Sequence, residues 1–277
     1  HLESETFAGA VFKGIERASY DILYHLKPVD GAYHLKLVNA RNETEYTNEL
    51  KLIVIDHPTG TTIIPDRAGV IHSLKIPELP LRCTGFDGKD ALNQIVQKDD
   101  IYWESDISGN DFNEDMALRD GLILEFKKPA GAGKAKLVVN GKNTRLGYFA
   151  LENVFKLKGE EKLQWYQQLN SDPERAKFVR WIMREGMLHV HVWHHGRWIE
   201  RAAMLDVGPG IAKDQVALLD VSDIAGDVLK IKLESTTDLW RIDQAYVDYS
   251  ADVPVSETEL SAQQALNEQG HDVTKLL

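Results

Sequence analysis

The chain has 277 residues and a formal net charge of −11, with 43 acidic and 32 basic side chains. This balance argues against nucleic acid and anionic membranes as partners, because there is no basic excess to neutralise phosphates. Apolar residues make up 43% of the sequence, which is ordinary for a globular protein, and no apolar run approaches the roughly 20 residues that span a bilayer.

The first strand patterns lie in residues 31–57. Tyr33, Leu35 and Leu37 alternate with polar residues, which predicts a strand with these three side chains facing inward. Residues 50–58 are apolar on both parities, a pattern typical of a central strand covered on both faces. The whole stretch is a looser copy of residues 226–250, so we expect a duplicated β-module.

The next patterns predict paired strands and one short helix. Residues 61–77 contain two short strands around a turn, and residues 91–96 have room for a helical turn. Residues 122–126 and 135–139 form a predicted hairpin, because proline and glycine dominate the segment that joins them.

A change of period marks the middle of the chain. Apolar residues recur at helical spacing from about residue 144 to residue 186, which predicts two or three helices. Strands return afterwards, and the clearest lies in residues 226–250, where Leu229, Ile231 and Leu233 alternate with lysines. The apolar parity then changes near Asp243 and Gln244, which indicates a β-bulge.

These patterns predict a mainly β protein with two jelly-roll-like antiparallel β-sandwich halves separated by a helical segment. The expected domains are a β-sandwich half at 1–143, the helical segment at 144–186, a second β-sandwich half at 187–253 and a polar tail at 254–277. The alternative is one continuous sandwich that carries a helical insertion.

The second half resembles galactose-binding-like β-sandwich (jelly-roll) modules of uncharacterised bacterial cell-surface proteins. The resemblance covers residues 186–250 best, through the turn at Gly196, the following Trp198, and Trp240, Ile242 and Asp243 on the closing strand. It implies a fold and carries no catalytic residue. Such modules bind carbohydrate or protein, in some cases with a structural calcium ion.

Candidate ligand-binding residues are aromatic side chains with polar neighbours. Aromatic rings on strands can form a platform on which a sugar ring stacks, although strand aromatics are more often core residues. The candidates are Trp103, Trp193, Trp198, Arg241 and Asp243.

Two metal sites are also conceivable, although none is required. Residues 104–120 are rich in the oxygen ligands that Ca²⁺ prefers, and a solvated acidic loop is the competing interpretation. The calcium candidates are Asp106, Asn110, Asp111, Asn113 and Asp115. His189 and His191 share one face of a strand and would chelate Zn²⁺ if a third ligand reached them; the competing interpretation is a polar strand face.

The sequence contains no serine-hydrolase, P-loop or zinc-protease motif. We therefore expect a non-catalytic binding or scaffold region, with carbohydrate or protein as ligand, from a longer bacterial surface protein. The expected location is extracellular or at the cell surface, with no nucleic-acid partner and no membrane insertion. The alternative is a metal-dependent enzyme that uses the His189/His191 strand face.

Overall fold

The computed structural model describes residues 20–38, 50–107 and 118–276, and these residues form mainly antiparallel β-structure. They divide into two compact units, the larger containing Thr62–Asp252 and the smaller the described parts of Ile22–Thr61 and Val253–Leu277. Among the described residues, no helix is long and apolar enough to cross a membrane.

Two sheets make up the larger unit. The five-stranded sheet has the spatial order β4 (Arg82–Gly85), β5 (Arg119–Lys127), β10 (Val228–Thr236), β7 (Leu188–His194) and β8 (Arg197–Met204). The three-stranded sheet has the order β11 (Trp240–Asp248), β6 (Lys134–Asn143) and β9 (Lys213–Asp220). A separate hairpin pairs β2 (Thr62–Pro65) with β3 (Ile71–Leu74), as the sequence predicted.

One apolar core lies between the two sheets. Leu229, Ile231 and Leu233 of β10 are fully buried, and they belong to the same cluster as Leu137 of β6 and Val247 of β11. The alternation in residues 226–250 therefore marks a strand with one face on the core, as predicted. The predicted fold class, a mainly β protein with an antiparallel sandwich and a helical segment, is confirmed.

The predicted bulge in β11 is also confirmed. The pairing of β11 with β6 shifts register between Ile242 and Gln244, which leaves Asp243 as the extra residue. Because a bulge reverses the parity of the residues that follow it, Ile242 and Ala245 both point into the core and both are fully buried.

The strands of the two predicted halves are interleaved. β5 and β6 come from the first predicted half, yet β5 pairs with β10 and β6 pairs with β11 and β9. Residues 1–143 and 187–253 therefore do not form two separate domains. The helical segment between them is an insertion in one continuous sandwich. Local patterns identify strands, but they do not identify the distant strand to which each one pairs.

The hairpin predicted from residues 122–126 and 135–139 is wrong for the same reason. β5 and β6 are consecutive in the chain but belong to different sheets, so their Pro/Gly-rich connection crosses from one sheet to the other. A positive φ of 76° at Gly131 lets the chain turn there. Turn residues indicate a reversal of the chain, but not whether the two strands hydrogen-bond.

The helical elements occupy the predicted positions. α1 (Leu92–Ile95) is a single turn, and the central segment contains α2 (Leu146–Lys158), α3 (Lys162–Gln168) and α4 (Asp172–Glu185). A short 3₁₀ turn, Gly159–Glu161, joins α2 to α3. The helices have a small core of their own, in which buried Leu169 and Phe178 pack with Trp165 and Trp181.

The predictions for the N-terminal region and for the tail need correction. Leu35 and Leu37 are 46% and 63% exposed and lie outside any strand. In the smaller unit, β1 (Leu52–Asp56) forms a two-stranded sheet with β12 (Ser256–Leu260). Within the part of the chain that the structure describes, β1 is therefore an edge strand rather than a central one, and the polar tail pairs with it. The tail ends in a 3₁₀ turn, Thr274–Leu276.

A buried ionic network, formed by His72, Lys136, Asp248 and Asp252, holds the β2–β3 hairpin against the three-stranded sheet. The Lys136 ammonium lies 3.1 Å from the Asp252 carboxylate and 3.8 Å from that of Asp248, and it also donates to the Ser73 carbonyl. His72 Nδ1 lies 3.1 Å from Asp252 Oδ2. Exposure is 3% for Lys136, 5% for His72 and zero for Asp248, whereas the Asp252 side chain at the rim of the network is 44% exposed. The buried charges of Lys136 and Asp248 are therefore compensated by protein groups rather than by water.

Backbone donors complete the network. The Asp248 carboxylate accepts hydrogen bonds of 2.7 Å from the N–H groups of Lys75 and Ile76, immediately after β3. The Asp252 carboxylate accepts a 2.8 Å hydrogen bond from Ser73 N–H. Burial alone would raise the pKa of both carboxyl groups, but hydrogen bonds outweigh it and hold each pKa below its usual value. The Ser250 hydroxyl contributes most at Asp248, followed by the two backbone N–H groups, and Ser73 N–H contributes most at Asp252.

Candidate functional site

The β7–β8 hairpin brings two tryptophans together on the outer face of the five-stranded sheet. Trp193 is paired with Trp198 and His194 with Arg197, so the loop consists of His195 and Gly196 alone. Both loop residues have positive φ, 46° and 79°, which identifies a type I′ turn whose twist matches that of the strands. The two indole rings meet edge to face with centroids 5.1 Å apart.

A cleft of about 250 Å³ lies beside this turn and is called the hairpin cleft below. Residues from the end of β7, from the loop before β10 and from β10 itself converge on it. Its lining consists of Trp193, His194, His195, Asp223, Ile224, Ala225, Val228 and Lys230. Trp193 remains 39% exposed, so one large aromatic surface is open to a ligand there.

The carboxylate of the hairpin cleft is fixed and ionised. Asp223 accepts a 2.6 Å hydrogen bond from Arg201 on β8, and His194 Nδ1 lies 3.5 Å from the same oxygen. The hydrogen bond from Arg201 lowers the pKa of Asp223. Asp223 therefore serves as a hydrogen-bond acceptor for a ligand and is poorly suited to donate a proton.

Beyond the cleft, polar side chains cover the same sheet face and form what we call the outer-face cluster, consisting of His189, His191, Glu200, Lys232 and Glu234. His189 Nδ1 lies 3.0 Å from the Glu200 carboxylate, and Lys232 donates a 2.5 Å hydrogen bond to Glu234. His191 Nε2 lies 3.8 Å from Glu234. Side-chain exposure is 15% for both His191 and Lys232, so the cluster is partly shielded from water.

Two groups of the outer-face cluster have shifted pKa values. Burial lowers the pKa of His191, and the nearby charge of Lys232 lowers it further, which favours the neutral imidazole. Burial would raise the pKa of Glu234, but the hydrogen bond and charge of Lys232 outweigh it, so the pKa is lowered. Glu234 and Lys232 therefore form an ion pair beside His191, whose neutral form is favoured.

The structure separates the predicted ligand-binding residues into two places. Trp193 and Trp198 lie together at the hairpin cleft, as described above. Trp103 is only 7% exposed and belongs to the sandwich core. The bulge residue Asp243 is 1% exposed and accepts hydrogen bonds from the N–H groups of residues 99 and 100, and Arg241 pairs with Glu104 at 2.8 Å. Trp103 and Asp243 are therefore buried within the fold, and Arg241 belongs to a partly exposed ion pair away from the hairpin cleft lining.

The geometry does not favour the predicted zinc ligands. His189 and His191 share the outer strand face as predicted, with ring centroids 6.3 Å apart. Both nitrogens of His189 are occupied, because Nδ1 faces Glu200 and Nε2 lies 3.1 Å from the Arg184 carbonyl. Within residues 20–38, 50–107 and 118–276, no three His, Cys, Asp or Glu side chains form a group that could hold a metal ion.

The predicted calcium loop falls mostly outside the described residues. Asn110, Asp111, Asn113 and Asp115 are in the undescribed range 108–117. Asp106 is described, and its carboxylate pairs with Lys89 at 3.0 Å. The calcium site therefore remains a prediction.

Sequence reasoning overlooked several residues of this face. Asp223 and Lys230 lie about 30 residues after the hairpin, and Phe86 is more than 100 residues before it, so no local pattern joins them. His195 could have been found, because the dipeptide His-Gly between two alternating strands is a possible I′ turn.

A second depression, of about 480 Å³, lies along α4. The described residues that line it, Lys177, Arg180, Trp181 and Arg184, all come from that helix. The hairpin cleft is the stronger candidate, since side chains from separate chain segments converge on it.

No protein-family model matches the chain, and a search of curated proteins finds no significant relative. The resemblance to galactose-binding-like modules therefore remains a prediction.

Proposed function

We propose that the chain is a non-catalytic carbohydrate-binding module whose ligand enters the hairpin cleft. The observation that supports this most directly is the exposed Trp193 ring, which lines the cleft together with ionised Asp223 and with Lys230. The C–H groups on the face of a sugar ring pack well against the electron-rich face of an indole. Its hydroxyl groups can donate to a carboxylate and accept from an ammonium group.

The size of the cleft favours a sugar over a protein ligand. A volume of about 250 Å³ is below the roughly 300–1,000 Å³ of sites for drug-sized molecules, and it suits a single sugar residue. A specific protein interface needs roughly 1,200–2,000 Å² of buried surface, which a cleft of this size does not supply by itself.

The carboxylates of the site support binding rather than hydrolysis. Glycosidases of the common types place two carboxyl groups on either side of the scissile bond, one of them protonated. Among the described lining residues of the cleft, Asp223 is the only carboxylate, and its lowered pKa keeps it ionised. The metal-dependent alternative has less support, because both ring nitrogens of His189 already have partners.

The extracellular or cell-surface location implied by the resemblance is part of the same proposal. A secretion assay on the natural host, with fractionation of medium and cells, tests it separately from ligand binding.

Binding to an array of neutral and acidic glycans tests the proposed function. We expect the full chain to bind at least one sugar type, and Trp193→Ala to weaken that binding at least tenfold, because the stacking surface is lost. Phe149→Ala is the matched control, since Phe149 is 56% exposed on α2, away from the cleft. Equal binding by wild type and Trp193→Ala, or no binding to any glycan, would contradict the proposal.

A further inference from the structure

Aromatic rings from opposite edges of the five-stranded sheet converge on Lys232. Trp198 lies on the edge strand β8, and Phe86 directly follows the other edge strand, β4. The Lys232 ammonium is 5.9 Å from the Trp198 ring and 5.8 Å from the Phe86 ring. Since neighbouring strands lie about 4.8 Å apart, both side chains must lean inward over the sheet to reach the central strand β10.

This arrangement continues the aromatic surface of the hairpin cleft. Trp193 lines the cleft, Trp198 contacts Trp193, and Phe86 stands on the far side of Lys232. Phe86 is 37% exposed, so its ring is accessible to a ligand that extends across the strands. The Lys232 ammonium near both rings, and the exposed Glu200 carboxylate two residues after Trp198 on β8, supply hydrogen-bonding groups on this face.

The charges of this face favour a neutral ligand. Lys232 is paired with Glu234 at 2.5 Å, Lys230 with Glu125 at 2.8 Å, and Arg201 with Asp223 at 2.6 Å. Each of these three cations is already balanced by a carboxylate. An acidic or sulfated sugar would have to displace those partners and would approach four carboxylates, counting Glu200.

We propose that Phe86, Trp198, Lys232 and Glu200 form a second sugar subsite, called the sheet subsite, which continues from the hairpin cleft. The ligand is then an internal stretch of a neutral polysaccharide that runs across the strands, and not an isolated terminal sugar. This inference rests on the proposed carbohydrate-binding function and specifies its ligand class.

The test uses the full chain and ladders of neutral gluco-, manno-, galacto- and xylo-oligosaccharides, from single sugars to hexasaccharides. We expect affinity to rise roughly three- to tenfold along the ladder that binds, as the chain reaches the second aromatic surface. Phe86→Ala removes this rise and leaves the affinity for the shortest ligand unchanged, whereas Trp193→Ala weakens all lengths. Lys232→Met, which keeps the aliphatic stem, reduces the rise as well.

The outcomes separate this inference from the proposed function. If Trp193→Ala abolishes binding while affinity is independent of length, or while Phe86→Ala leaves the rise intact, the sheet subsite is wrong and the proposed function stands. If no glycan of any length binds, neutral or acidic, both are overturned. If the protein prefers acidic glycans, and if that binding weakens as NaCl is raised from about 0.05 to about 0.5 M, the proposed neutral ligand class is wrong. Phe149→Ala and thermal melting of every variant control for folding.

Discussion

The buried ionic network and the outer-face cluster are built from the same kinds of side chain in opposite surroundings. Both contain histidine, lysine and carboxylates, and both lie on the sandwich. In the network, Lys136 and Asp248 are 3% and 0% exposed. Backbone N–H groups donate to Asp248, and Lys136 donates to the Ser73 carbonyl and to Asp252. In the cluster, Glu200 is exposed and aromatic rings lie beside Lys232.

This difference indicates what each group of charges does. Burying a charge without a partner costs free energy, so the buried charges of the network need one another as partners. The same contacts hold the β2–β3 hairpin against the three-stranded sheet. Charges at a partly shielded surface cost less and keep capacity for further hydrogen bonds. The network therefore stabilises the fold, whereas the cluster is assigned to ligand binding. Substitutions in the two groups should separate these roles.

Removing a carboxylate from the network should have the largest effect. Asp248→Ala removes the acceptor of the Lys75 and Ile76 N–H groups. It also removes one of the two carboxylates beside the buried Lys136 ammonium, which keeps Asp252 and the Ser73 carbonyl. We expect a loss of about 3–5 kcal/mol in the free energy of unfolding, measured by urea denaturation. Glu257→Gln, at an exposed position of β12, is the control and should change stability by less than about 0.5 kcal/mol. If Asp248→Ala also lowers the free energy of unfolding by less than about 0.5 kcal/mol, the network does not have the structural role assigned to it.

The network should also make stability sensitive to acid. Because the pKa values of Asp248 and Asp252 are lowered in the folded state, their contribution is fully present above the ordinary value of about 3.9. It is lost as the pH falls through the lower, folded-state pKa values. Melting temperatures between about pH 6 and about pH 2 should therefore fall less steeply for Asp252→Asn than for the wild type. Parallel curves for the two proteins would contradict this prediction.

In the outer-face cluster the expected effect is a pKa change and not unfolding. His191 has a pKa below its ordinary value of about 6.5, first because of burial and then because of Lys232. Lys232→Met should raise the pKa of His191 in an NMR titration of the imidazole, while leaving the melting temperature near that of the wild type. A pKa that does not move in the variant would show that Lys232 is not a cause of the shift.

A modest loss of stability is expected at the turn of the hairpin cleft. His195 adopts a φ of 46°, a conformation that asparagine and glycine tolerate and that β-branched residues do not. His195→Val should therefore destabilise the protein by about 1–2 kcal/mol, whereas His195→Asn should be neutral, as measured by thermal unfolding. Equal stability of the two variants would argue against the I′ turn.

Much of the local structure could be predicted from residue patterns. The lysine/leucine alternation of β10, the bulge at Asp243 and the helical segment all follow from side-chain period, because burial of one face imposes that period. The apolar run of β1 gave the wrong expectation. An apolar pattern shows that a strand avoids water but not how many partners it has, and β1 has β12 alone as its described strand partner.

The candidate site was only partly predictable. Trp193, Trp198, His189 and His191 lie close together in sequence, so their common strand face followed from the two-residue period. Trp103 and Asp243 belong to the same classes of residue, yet the fold buries both of them, and Arg241 pairs with Glu104.

The sequence by itself determined the class of the fold, the faces of β10 and β11 and the outward position of His189 and His191, because each depends on neighbours a few residues away. The tertiary structure alone decided that β5 joins β10 and β6 joins β11, so that one sandwich forms in place of two. It also decided that Phe86 and Trp198 meet at Lys232. Strand pairing and side-chain packing bring together residues that are far apart in the chain, and local periodicity does not predict those contacts.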